Sequence, residues 1–155
     1  MRKRVFAVVG IACALGLAGG ALVANAGTDI TSPETFTVLG TTIKDRFVDV
    51  GKKGFGPGDV SVFVDNLTDD SGALVGKSRI QCTIHIGPWA ICTGTFNING
   101  RGEIVGQGLV PFSEDATTFD VPVTGGTGEF DNVRGEVHIE LVADGQEENT
   151  FDLIP

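Results

Sequence analysis

The run Val60, Ser61, Val62, Phe63, Val64, Asp65 places one ionisable group in a largely apolar alternation. Successive side chains of a strand point to opposite faces, so Ser61, Phe63 and Asp65 share one face and the three valines the other. A carboxyl beside an aromatic ring and away from water can act as an acid with a raised pKa or as a hydrogen-bond acceptor. The residues from Asn66 to Gly72 read as a turn, and a carboxylate at the head of a turn can equally cap its amides. Cys82 and Cys92 offer a second chemistry. Gly87 and Pro88 supply turn residues between them, and a hairpin centred on Gly87 sets position 82 opposite position 92. Cross-strand Cβ atoms lie about 4.5 to 5.5 Å apart, closer at non-hydrogen-bonded pairs, where a disulfide can form. The alternative is two buried free thiols.

Other motifs carry less. Gly125, Gly126, Thr127 and Gly128 have the glycines of a phosphate loop, but Asp131 stands where the last glycine of that pattern belongs and no lysine follows. A tight turn between strands is the expectation there. Asp65, Asp69 and Asp70 suggest a calcium loop, yet Leu67 breaks the ligand alternation and Gly76 takes the place of the closing glutamate. His85 and His138 have no partner at metal-ligand spacing, and no local signature assembles a Ser, His and Asp triad. Neither a metal nor a cofactor is expected. Asn66, Leu67 and Thr68 form a glycosylation sequon.

The elements that must position these residues are strands. Residues 58–67 alternate as described, and in 133–141 Val133, Val137, Ile139 and Leu141 alternate with Arg134, Glu136, His138 and Glu140. Residues 80–86 and 90–98 flank the Gly87 turn. Gly- and Asp-rich punctuation falls at 51–58, 68–72, 99–102, 113–116, 125–128 and 144–146. About eight strands at this spacing predict an all-β barrel or sandwich. Closure removes the exposed edges of such short strands, and an eight-stranded barrel is just wide enough to be filled by side chains or to hold one small ligand.

Ahead of these strands, Arg2, Lys3 and Arg4 precede an apolar run over residues 5–23 that ends in Ala24, Asn25 and Ala26. This is the order of a secretory signal peptide with an A-x-A cleavage site, and it predicts a mature chain that starts at Gly27. A retained membrane helix is the other reading, weakened by the Gly and Ala content of the run. Cys13 lies too early in that run for a lipoprotein and is removed with it. Residues 27–155 then form one domain, in a secreted, disulfide-permitting setting. Loss of Arg2, Lys3 and Arg4 takes the basic count from 11 to 8 against 20 acidic residues, a net charge of about −12. Such a surface repels phosphate backbones and anionic headgroups, which excludes nucleic acid and, after signal cleavage, membrane partners.

Four segments together resemble the allene oxide cyclase and dirigent superfamily. They are residues 58–67; Val75 and Gly76; Gly106, Gln107 and Gly108; and residues 123–130, V-T-G-G-T-G-E-F, followed by Arg134 and Gly135. The last is the most specific, being similar to the family's G-G-T-G-x-F with R-G shortly after. The resemblance implies an eight-stranded antiparallel β-barrel with an apolar cavity, assembled as a homodimer or homotrimer. It makes Asp65 the best single catalytic candidate, since Phe63, Val64 and Asp65 lie where the cyclases hold an aromatic wall and a polar asparagine, and Asp65 to Thr68 also resembles the dirigent D-P-L-T run. Cys82 matches a cavity cysteine of the cyclases. Val110 stands in place of their tyrosine after Q-G-x. Gly40 and Thr42 lie where they carry a glutamate and an asparagine, and neither can do the same work. The chain has no tyrosine at all, and these departures count against allene oxide cyclisation itself.

The implied ligand is an apolar small molecule held by Ser61, Phe63, Cys82, Phe96 and Val110. A preformed apolar cavity can fold a reactive molecule into one near-attack conformer with few polar groups. The expected function is therefore stereocontrol of a cyclisation or coupling, with a non-catalytic exported binding or structural barrel as the alternative. Export itself argues against a cyclase serving a cytoplasmic polyketide assembly line. The matched family strand points its aromatic and polar residues inward, so Val60, Val62 and Val64 should face out, as an apolar stripe suited to a subunit interface.

Overall fold

The computed structural model describes residues 29–113 and 115–155; the expected signal peptide, its cleavage site and Cys13 lie outside the described residues. Eight strands follow in chain order: β1 (Glu34–Val48), β2 (Val60–Thr68), β3 (Leu74–Ile84), β4 (Trp89–Ile98), β5 (Gly102–Pro111), β6 (Thr118–Gly126), β7 (Arg134–Ala143) and β8 (Gln146–Ile154). Each pairs antiparallel with the next, and β8 returns to β1, so the sheet is a closed barrel. The all-β, eight-stranded antiparallel barrel expected from the sequence is the observed fold. The third and fourth strands differ in detail from the expected 80–86 and 90–98. β3 starts earlier and stops at Ile84, leaving Ile86 three-quarters exposed in the turn.

Alternation decides which residues enter the barrel. On β2 Ser61, Asp65 and Leu67 are buried, and on β4 every second residue from Ala90 to Ile98 is. β1 is the longest strand, and its register shifts between Thr42 and Lys44, with Ile43 left over and exposed. Such a bulge bends its strand and reorients the residues on either side.

One end of the barrel is plugged. Leu67, Ile104, Phe130, Val133 and Phe151 are all fully buried there. Phe130 comes from a short 3-10 helix (Gly128–Phe130) between β6 and β7, and Phe36 stacks on Phe151 at 5.0 Å. The expected tight turn at 125–128 is not what forms: Gly125 and Gly126 end β6 and Gly128 opens the 3-10 helix, and the glycines have a packing reason instead. A Cβ on Gly126 would collide with the Glu103 and Phe130 carbonyl oxygens, and one on Gly128 with that of Arg101. Arg101 seals the plug from outside. It reaches Glu34 and Glu129, each at 2.7 Å, and its guanidinium lies 4.7 Å from the Phe130 ring centroid and 5.3 Å from that of Phe36.

Candidate functional site

The other end is open. A cavity of about 770 Å³ runs from the barrel interior to a mouth formed by the β1–β2 connection, the β5–β6 connection and the β7–β8 turn. The volume lies in the range that takes a small organic ligand. Inner faces of an eight-stranded barrel normally fill it with side chains, and here Gly94 of β4 and Gly106 of β5 face inward with none. Phe63, Ile80, Phe96, Val110, Phe119 and Val121 make most of the remaining wall apolar.

The polar part of the barrel wall comes from β1, β2 and β8, with Ser78 of β3 behind it. Asp65 is 2% exposed and lines the cavity. Its Oδ1 accepts from the Thr42 hydroxyl at 2.8 Å and its Oδ2 accepts a short bond from the Ser78 hydroxyl. The register sets these partners, because Asp65 lies opposite Thr42 on β1 and opposite Ser78 on β3. Glu147 of β8 also lines the cavity, and its Oε1 accepts from the Asn149 side-chain amide at 3.1 Å. Burial pushes the Glu147 carboxyl above its ordinary 4.5; the Asn149 bond opposes this and the charge of Asp65 adds to it. Two carboxyl groups that sense one another in a largely apolar cavity are suited to hold, give and take a proton on a bound molecule.

The turn after β2 has its own cap. Asp69 accepts from the Ser71 and Ala73 amides at 2.9 and 3.0 Å, so that turn makes no use of Asp65. Phe63, Cys82, Phe96 and Val110 lie on the cavity wall, as does Asp65. Ser61 is buried on the inner face of β2 but is not part of the wall. Cys82 and Cys92 face each other on β3 and β4 and form a disulfide, with both sulfur-bearing residues on the cavity wall. The free-thiol alternative, in which Cys82 is a cavity thiol, is replaced by a cavity disulfide. His85 is exposed in the β3–β4 turn, and His138 bonds Asp120 at 2.6 Å between two exposed side chains.

Glu147 and Ser78 were not singled out by the sequence, and Thr42 was read as unable to help. Thr42 in fact supports Asp65. Gly40 matters by what it lacks: Glu147 lies opposite it, and the Glu147 Cγ sits 3.0 Å from where a Cβ on Gly40 would be. A signal for Glu147 did exist. Leu153, Phe151 and Asn149 are buried at alternate positions, and the same period continued inward by two residues reaches Glu147.

The closed eight-stranded antiparallel barrel agrees with the resemblance to the allene oxide cyclase and dirigent-like proteins, and solved structures bear this out. No family model and no curated protein matches the chain. Pyocyanin demethylase superimposes with a TM-score of 0.70 at 30% identity, covering 78% of this chain and 100% of that one. The chain belongs to the same family as pyocyanin demethylase, within the allene oxide cyclase and dirigent-like barrels. The Diels Alderase AbmU from Streptomyces koyangensis has a TM-score of 0.63 at 14% identity, covering 79% of this chain and 69% of that one. The pterocarpan synthase dirigent protein PsPTS1 has a TM-score of 0.61 at 18% identity, covering 79% and 94%. These last two are likenesses of fold.

Proposed function

We propose that the barrel binds one flat, mostly apolar ring system of the pyocyanin type in its cavity and that Asp65 and Glu147 move protons while water adds to the N-methyl carbon, that carbon leaves as formaldehyde and the ring system itself takes up the two electrons. The observation that carries this reading is the buried Asp65 carboxyl and the half-buried Glu147 carboxyl, both in the wall of an open and mainly apolar cavity. The family relationship to pyocyanin demethylase supports the choice of ligand class. Incubating the purified chain with pyocyanin and following its absorbance and the mass of the product tests the reading. The expected result is a product that lacks the methyl carbon, with turnover reduced about a hundredfold or more by Asp65→Asn and by Glu147→Gln, the size expected when one acid–base group is lost. Absence of both binding and product sinks the proposal.

Stereocontrol of a cyclisation or a phenolic coupling is the second reading. It is supported by fold likeness to AbmU and PsPTS1 and by a cavity large enough to hold a substrate in one folded conformer. Ligand extraction from the natively produced protein, read by mass spectrometry, separates the two: a linear polyene or a phenol favours the second. A non-catalytic binding barrel is what remains if a ligand is bound and left unchanged.

We also propose export and self-association. Export is supported by the charged, apolar and A-x-A order of residues 2–26, and N-terminal sequencing of exported protein should begin at Gly27. Association is supported by the outer face near the mouth. The paired positions Val48, Val60, Thr83, Ile91 and Leu109 form one row across β1 to β5. Ile91 and Leu109 are 43% and 56% exposed on the single barrel. A homodimer or homotrimer would cover that row, and a monomer by sedimentation would remove the proposal.

A further inference from the structure

We propose that Phe55 determines specificity at the mouth of the cavity, selecting flat aromatic molecules by stacking on them as they sit in the open end. This rests on the reading of the cavity as a small-molecule site. Phe55 stands in the connection between β1 and β2, lines the cavity, and is nevertheless 66% exposed. An uncovered phenyl ring at a cavity mouth offers apolar area that a ligand can bury.

The ring is part of an aligned set. Phe47 lies 6.0 Å from it, centroid to centroid, at an interplanar angle of 16°, and Phe112 lies 6.3 Å away at 10°. Three nearly parallel faces at one opening favour a flat ring system over an aliphatic chain of equal area, because offset stacking adds to burial only when both partners present a face. Phe112 also lines the cavity, so the aligned faces continue inward from the mouth.

The position of Phe55 is prepared by the backbone on both sides of it. The Gly54 amide donates to Asp49 at 2.8 Å, and the Gly56 amide donates at 2.7 Å to Asp59. Asp59 is 1% exposed and accepts the Val50 amide with its other oxygen, also at 2.7 Å. A ring presented this way does not have to be ordered when the ligand arrives, and the entropic cost of binding falls accordingly. Gly51, Gly54 and Gly58 adopt positive φ with no heavy atom within 4 Å of an added Cβ. The connection is thus open at those glycines, and the two aspartates, with the Gly58 amide bonded to the Ile84 carbonyl at 2.9 Å, help to hold it in place.

Equilibrium dialysis and stopped-flow binding of two probes to the purified chain test the inference: pyocyanin, which is flat and aromatic, and cis-parinaric acid, an apolar chain without a ring. Phe55→Ala and Phe55→Leu should each weaken pyocyanin binding about tenfold through faster dissociation, the size of one stacked aromatic contact. They should change cis-parinaric acid binding by less than about twofold, and Phe55→Trp should retain the preference for pyocyanin. Asp49→Ala, which releases the Gly54 amide without touching the cavity wall, should shift pyocyanin binding in the same direction by a smaller factor. Equal losses for both probes would show that Phe55 acts by bulk alone and overturn the inference, as would unchanged binding of both. If the unsubstituted chain binds neither probe, the cavity reading fails and this inference falls with it.

Discussion

The two ends of the barrel are built from similar aromatic residues to opposite purposes. At the plugged end Phe130 and Phe151 are fully buried, and Phe36 and Arg101 close over them. At the open end Phe47 and Phe55 stand 46% and 66% exposed, and the cavity behind them is empty of side chains at Gly94 and Gly106. The difference lies in the connections. The β6–β7 segment turns inward as a 3-10 helix and inserts a ring, whereas the β1–β2 segment is tied into a loop by Asp49 and Asp59 and leaves its ring at the rim. One end thus stabilises the fold, and the other is left free to bind.

Truncating one aromatic residue at each end separates the two roles by the largest margin. Phe130→Ala should destabilise the barrel by about 3 to 5 kcal/mol, the range for a buried phenylalanine. Phe55→Ala should stay within about 0.5 kcal/mol, as surface changes do. Denaturant unfolding measures both, and comparable losses at the two positions would mean that the mouth carries part of the core.

The disulfide comes next in size. Replacing Cys82 and Cys92 by alanine should cost on the order of 2 to 3 kcal/mol, the chain-entropy value for a loop of about ten residues. Peptide mapping without reductant should recover the 82–92 pair from natively produced protein. Two alkylated thiols at those positions would contradict the observed bridge.

Arg101→Met should cost less, about 1 to 2 kcal/mol, because its ion pairs are roughly 30% exposed and screened while its stacking on two rings is not. Thermal unfolding in low and high salt sharpens this, since most of the loss should persist in high salt if the ring contacts dominate.

The smallest effect belongs to Glu147 and is a matter of sign. Burial raises its carboxyl above 4.5 in the folded chain, while unfolding returns it to 4.5. Between those values the folded chain binds more protons than the unfolded one, so this group's contribution is fully present below about pH 4.5 and is lost as pH rises through the folded value. Glu147→Gln should flatten that part of the stability profile and leave the protein at least as stable at neutral pH. A profile unchanged by the substitution would mean that the carboxyl is wetter than the cavity wall suggests.

Much of the barrel could be read along the chain. Alternation in residues 58–67 separates the inward Asp65 from the outward valines, and the symmetry of the hairpin about Gly87 places Cys82 against Cys92, because both are properties of neighbouring residues on one or two strands. The Gly- and Asp-rich punctuation at 51–58, 68–72 and 99–102 likewise marks connections between strands. These features are local, and local periodicity is what a sequence carries most directly.

Closure and the site lie beyond that reach. Gly40 meets Glu147 only because β8 pairs with β1, at a separation of most of the chain, and Glu147 follows Gly145 and Gln146 in a stretch whose charge reads as solvated turn. The same holds for Asp65, whose partners Thr42 and Ser78 are supplied by the strands on either side once the register is set. Amino-acid order alone determines which residues face inward. Which inward residues meet, and whether they fill the barrel or leave it open, was decided by long-range pairing, because the hydrogen bonds that close a sheet carry no residue-specific signal in the strands that make them.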